Sequence, residues 1–165
     1  MVAGPTAFSI RDARLADATA LSTMMRLSWR ESYRGLMPAQ QLDEICEMWL
    51  APRNFKERIA DKNAANILAI IDGKIVGHCY ALPRENRSVL IGYLYVLESA
   101  QGAGIGTTLL NAVLDVFPGT VHLELAVLEN NQAAIGFYKH LGFFEAGPEP
   151  TPENEPPSIK MTKAI

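Results

Sequence analysis

A chain of 165 residues, 48% hydrophobic and 20% charged, is long enough to bury a core and is expected to form one domain over residues 1–165. Its formal charge of -3 and pI near 5.6 argue against nucleic acid as a partner, and no apolar run approaches the length that spans a bilayer. With no charged-then-apolar leader and two cysteines that lack metal-ligand spacing, a cytoplasmic protein without a metal is expected.

The chain opens on a short strand at Thr6 to Arg11, after which Leu15, Ala18, Leu21, Met25 and Trp29 recur at helical intervals. Gly35 ends that pattern, Pro38 starts another, and Leu42, Ile45, Cys46 and Trp49 form its buried stripe. Pro52 interrupts again, and Phe55 with Ile59 marks a further helical piece ending before Asn63. Asn66 to Ile71 and Lys74 to Leu82 are apolar strands joined by Asp72-Gly73, a two-residue hairpin signal, so they should be antiparallel neighbours. Arg84 to Arg87 makes a polar turn into a fourth strand, Ser88 to Leu97.

Ile105, Leu109, Leu110, Val113, Leu114 and Phe117 then define a helix that stops at Pro118-Gly119. Val121 to Leu128 follows as a strand expected to lie parallel to the fourth. Asn130-Asn131 suits the cap of a last helix on which Ala134, Phe137, Tyr138 and Leu141 share a face, and Gly142 is its left-handed stop. Phe143 begins another strand, Gly147 to Pro157 reads as a loop because it holds five prolines, and Ser158 to Thr162 is the final strand.

Between the fourth strand and its helix lies Gln101-Gly102-Ala103-Gly104-Ile105-Gly106-Thr107-Thr108. The first amides of a helix lack intrahelical acceptors and sit at the positive end of its dipole, so they attract phosphate oxygens, and glycines admit close approach. A plain structural turn is the competing reading. A triphosphate loop would need a lysine that Gly106-Thr107-Thr108 does not supply, and a dinucleotide loop would need a third glycine where Thr107 stands. The dinucleotide reading stays open, because Gly102 and Gly104 fit and Glu124 lies near the distance expected for a ribose-binding carboxylate.

The order Val96, Gln101, Gly104, Gly106 resembles the pyrophosphate loop of the GNAT superfamily of N-acetyltransferases, Gln/Arg-x-x-Gly-x-Gly/Ala after a strand. Asn131 to Phe143 resembles that family's Asn-x-x-Ala-x-x-Phe-Tyr-x-x-x-Gly-Phe helix, with every anchor present, and Trp29 to Pro38 resembles an acceptor-side segment of many bacterial members. The resemblance covers nearly the whole chain. It implies an α/β (α+β) fold: a mixed, mostly antiparallel twisted sheet of about seven strands, flanked by about four helices and splayed between the fourth and fifth strands.

It also implies acetyl-CoA as co-substrate. On that footing the cofactor-binding set is Val96, Leu97, Gln101, Gly102, Ala103, Gly104, Ile105, Gly106, Thr107, Asn131, Ala134 and Tyr138. The Val96 N–H would donate to the thioester oxygen, and Tyr138 would donate a proton or hydrogen bond to the departing sulfur. Trp29, Tyr33 and His78 would face the acceptor, a primary amine of a small molecule or peptide. Leu90 and Ala126 stand where many members carry a strand glutamate, so the candidates to take the amine proton are Glu124, His78, Glu98 and Glu31, or ordered water. Each residue has a plainer role beside the functional one: Asn131 as helix cap, Tyr138 as a packed aromatic, His78 as a hydrogen-bonded strand histidine. The missing carboxylates also motivate the alternative of a CoA-binding regulatory module without turnover. Homodimerisation is left open.

Overall fold

Asp72 and Gly73 both take positive φ, 49° and 76°, as a two-residue turn matched to the twist of its strands requires. They join β2 (Ala65–Ile71) to β3 (Lys74–Pro83) as antiparallel neighbours, with Ile71 opposite Lys74. The computed structural model describes residues 7–153 and 155–165, so Thr6 lies outside the described residues and the first strand, β1, is Ser9–Asp12. Then come α1 (Ala18–Tyr33), α2 (Ala39–Trp49) and α3 (Pro52–Ala60), with β4 (Ser88–Val96) after the hairpin. The chain closes with α4 (Ile105–Val116), β5 (His122–Leu128), α5 (Gln132–His140), β6 (Phe144–Glu149) and β7 (Ser158–Ala164).

The described strands form one seven-stranded sheet in the order β1-β2-β3-β4-β5-β7-β6. Only β4 and β5 pair in parallel, and they do so over three positions, from Ser88 opposite His122 to Leu90 opposite Glu124. Immediately beyond, the β3–β4 register passes from Ala81 opposite Ile91 to Tyr80 opposite Tyr93, so Gly92 is an extra, bulged residue. A bulge bends its strand. β4 turns from β5 where Gly92 is inserted, and the sheet splays between the fourth and fifth strands.

Five α-helices are described; Pro52 occupies the first turn of α3 and starts the helical piece expected around Phe55 and Ile59. One expectation needs correcting. The prolines after Gly147 do not all lie in a loop: β6 continues through Gly147, Pro148 and Glu149, with Pro148 opposite Ile159. β6 is the edge of the sheet, where a residue without an N–H breaks no ladder on the open side.

Each face of the sheet carries its own core. Leu21, Met25 and Phe55 from α1 and α3 bury completely against Leu68 on one face, while Leu109 and Val113 of α4 bury completely against Ala69, Cys79 and Leu123 on the other. Burying each leucine or phenylalanine side chain contributes about 1.5–3 kcal/mol. α4 sits close because Gly77 lies beneath it; a Cβ there would meet Ile105 Cγ2 at 3.2 Å. That packing fixes the direction in which the first turn of α4 points.

Candidate active site

The cavity opened by the splay has a volume of about 680 Å³, within the roughly 300–1,000 Å³ of small-molecule sites. Leu94, Tyr95 and Val96 of β4 line one wall and Ala126, Val127 and Leu128 of β5 the other, with the glycine loop at one end and Tyr138 of α5 beside it.

At the loop, the N–H groups of Ile105, Gly106 and Thr107 have no intrahelical acceptor, since the first α4 bond runs from Thr108 N–H to the Gly104 carbonyl. The glycines are demanded by two separate constraints. Gly102 and Gly104 hold φ of 86° and 81°, a region that side chains disfavour. Gly106 is ordinary helix, but a Cβ on it would stand 2.8 Å from Phe137 Cζ, so its bareness lets α5 pack on α4. Ala103 packs its methyl into the core below the loop.

On β4, backbone orientation follows from one bond. Leu97 N–H donates to the Val76 carbonyl at 2.9 Å, and in an antiparallel ladder successive residues face alternate sides. Val96 and Leu94 therefore turn N–H and carbonyl away from β3 and into the gap. The Val96 carbonyl accepts from Gln101 Nε2 at 3.0 Å, while the Leu97 N–H is already taken by β3. Leu94 escaped the sequence reading; the two-residue period of β4, applied backward from Val96, is the signal that finds it.

Tyr138 of α5 lines the cavity, its ring edge-on to Phe143 at 5.7 Å. Burial, then the neighbouring Tyr33 and Cys79, push its phenol well above the usual tyrosine range, so it keeps its proton. Asn131 is the α5 cap, its Oδ1 accepting from Ala134 N–H at 3.2 Å, and it lines the cavity together with Ala134. Cys79 is fully buried and its thiol is pushed up to about 12, so it is no nucleophile.

Tyr33 and Tyr95 share a hydroxyl–hydroxyl hydrogen bond of 2.5 Å that ties α1 to β4. Trp29 stands edge-on to Tyr33 at 5.5 Å, and both line a second, smaller cavity that shares the lining residues Tyr33, Leu128 and Ser158 with the first. His78 is not brought to either cavity. It is fully buried between Phe55 and Tyr93, its Nε2 bonded to Asn66 Oδ1 at 3.1 Å, and burial lowers its pKa to about 3. As acceptor contact or direct base it is therefore a correction: a ring sealed from both cavities cannot touch substrate. Glu124 shares a face with Ala126, as the strand period requires, but it borders the paired part of β5 and its carboxylate lies 3.6 Å from Lys160 Nζ. It does not line the gap.

The sequence pattern of the acetyltransferase (GNAT) family matches residues 22–143. The chain belongs to that family. As a GNAT acyltransferase it is 32% identical over 131 residues to an uncharacterised N-acetyltransferase of Mycobacterium tuberculosis, spanning 78% of this chain and 84% of the relative. It is 30% identical over 154 residues to an N-alpha-acetyltransferase of Sulfurisphaera tokodaii, spanning 84% and 81%. Its fold matches the PaiA N-acetyltransferase of Thermoplasma acidophilum, solved in complex with coenzyme A, with a TM-score of 0.84 at 19% identity over 96% of this chain and 99% of the other. No helix among the described residues is long and apolar enough to cross a membrane.

Proposed function

We propose that this GNAT protein transfers the acetyl group of acetyl-CoA to a primary amine of a small molecule or peptide by direct attack. The observation that carries the reading is that Val96, the first residues of α4 and Tyr138 all line one cavity. These groups fit acetyl-CoA: outward N–H groups for a pyrophosphate, an unpaired strand edge for the amides of the pantetheine arm, and a protonated phenol for sulfur. When bound, acetyl-CoA supplies an activated acetyl thioester.

The residues then divide the work. Val96 N–H stabilises the acyl oxygen as charge develops there, an effect typically worth about 2.7–4 kcal/mol. Tyr138 donates a hydrogen bond to the sulfur. Because its pKa is raised above the usual tyrosine range while a thiol ordinarily titrates near 8.5, full surrender of its proton is unfavourable, and the hydrogen bond is the stabilising step. The amine nitrogen bonds to the acetyl carbon, the carbon–sulfur bond breaks, and the proton lost from nitrogen reaches sulfur through water. No cysteine needs to be acylated.

Glu124 and His78 do not line the cavity, whereas Glu31 and Glu98 do, with Glu31 Oε1 already accepting from Glu98 N–H at 3.1 Å; with water as the route for the amine proton, kcat/KM should rise with pH toward the pKa of the acceptor. The regulatory reading has less behind it, since it rests on Leu90 and Ala126 alone. Two unpaired, buried thiols, Cys46 and Cys79, agree with a cytoplasmic setting. Thiol release from acetyl-CoA across a panel of amines, with titration calorimetry against acetyl-CoA and NAD, tests the proposal. Binding of NAD in place of acetyl-CoA would overturn it, and acetyl-CoA binding without turnover on any amine would favour the regulatory module.

A further inference from the structure

The smaller cavity, of about 210 Å³, says what kind of amine is taken. Resting on the acetyl-transfer reading, we infer that the acceptor is a small arylalkyl or branched alkyl amine that carries no carboxylate beside its nitrogen.

The two cavities share Tyr33, Leu128 and Ser158 as lining residues. That common junction is where we place the amine nitrogen, with its body in the smaller cavity. The body meets Trp29 and Trp49 from α1 and α2, with Leu42 and Ile45 between them. At roughly 30 Å³ per water, the volume equals about seven waters, and it falls below the roughly 300 Å³ at which sites for drug-sized ligands begin. One ring or branched chain fills it; a multi-ring aminoglycoside or several residues of peptide do not.

Charge narrows the class further. The sole ionisable carboxylate lining the smaller cavity among the described residues is that of Glu155, contributed by the segment between β6 and β7. Among the described residues neither cavity is lined by lysine or arginine. A free amino acid would bring its carboxylate to the junction with its amine and find no cation or guanidinium there, and burying an unpaired carboxylate is costly. A decarboxylated amine has no such group, and among the described residues the carboxylates that line the cavities, Glu155 in the smaller and Glu31 and Glu98 in the larger, are opposite in charge to its ammonium form.

The test compares 2-phenylethylamine with phenylalanine, phenylalaninamide and kanamycin on the full chain. We expect kcat/KM for 2-phenylethylamine to exceed that for phenylalanine by at least about 100-fold, with phenylalaninamide, equal in bulk but uncharged at that carbon, in between. Trp49 is 45% exposed, so Trp49→Ala should fold, raise the KM for the amine at least about tenfold and leave acetyl-CoA affinity in calorimetry unchanged. Glu155→Lys should narrow the gap between amine and amino acid by about fivefold.

A binding readout separates this inference from the reading beneath it. Trp29 and Trp49 are the two tryptophans of the chain and both line the pocket, so intrinsic fluorescence reports occupancy without turnover. If 2-phenylethylamine changes the fluorescence but no amine is acetylated, acetyl transfer fails and the pocket assignment stands. If phenylalanine or kanamycin is the better substrate, or 2-phenylethylamine leaves the fluorescence unchanged at millimolar concentration, the inference is overturned while acetyl transfer can still hold.

Discussion

Gln101 Nε2 donates to the carbonyl of Val96 at 3.0 Å, so the glycine loop proposed to meet the pyrophosphate is tied to the strand end proposed to meet the acyl arm. Immediately after Gln101 the loop holds two glycines in left-handed conformation, Gly102 and Gly104, a residue type with wide backbone freedom. One hydrogen bond holding it contributes about 1 kcal/mol. Gln101→Ala should therefore weaken acetyl-CoA binding about fivefold with little change in thermal stability. Calorimetry checks this, and unchanged affinity would mean that the Val96 peptide needs no such tether.

Tyr138→Phe keeps the ring packed on Phe143 and removes only the hydroxyl. A hydrogen bond to a charged partner contributes about 1.5–3 kcal/mol, so kcat should fall roughly 10- to 150-fold while the Kd for acetyl-CoA stays close to that of the parent. The raised pKa carries a sign as well. The folded chain holds the Tyr138 proton more tightly than the unfolded chain, so this contribution to stability is complete below the ordinary value of 10.0 and is lost as pH rises beyond it. In Tyr138→Phe that alkaline loss should be smaller, by urea titration on either side of the ordinary tyrosine value.

Gly106→Ala tests the contact between α4 and α5. Its new methyl would stand 2.8 Å from Phe137 Cζ, a position real atoms avoid. Overpacking of this kind costs about 1–3 kcal/mol. Phe137 is 40% exposed, so Phe137→Leu should relieve much of the loss in the double variant. Additive effects in a denaturation cycle would show that the two helices are not held apart by this pair.

Buried His78 sets the acid side of the stability profile. Burial, then the nearby Arg58, lowers its pKa from 6.5 to about 3, so below the ordinary value the unfolded chain takes up a proton that the folded chain refuses. Stability contributed by the neutral ring is present above that value and is lost as pH falls toward the folded pKa. Two pH units of that window correspond to about 3 kcal/mol. His78→Gln, which can still bond Asn66, should flatten the urea-unfolding free energy over this range while leaving kcat near parental. Asp17, whose carboxyl Arg11 holds below the usual range, adds an acid loss common to both chains, so the difference between them isolates the histidine. A steep loss of activity in His78→Gln, with the fold intact, would put the ring back in the chemistry.

The order of strands and helices, the hairpin at Asp72-Gly73 and the two family blocks were legible in the sequence because each rests on local features: a period of two or 3.6, a turn residue, a cap. The prolines after Gly147 misled for the same reason, since only the position of β6 at the sheet edge makes Pro148 acceptable in a strand. Local reading also found the glycine loop but merged its two constraints, the left-handed backbone at Gly102 and Gly104 and the contact of Gly106 with Phe137, a residue 31 positions away in the chain. Which candidates reach the cavity was decided by tertiary structure alone. His78 and Tyr95 face each other in the β3–β4 register, yet the histidine ring is sealed under Phe55 of α3 while the tyrosine lines the gap. The extra residue Gly92 then turns β4 from β5, and no periodicity in either strand encodes that parting, because it depends on where the parallel ladder ends at Leu90 and Glu124.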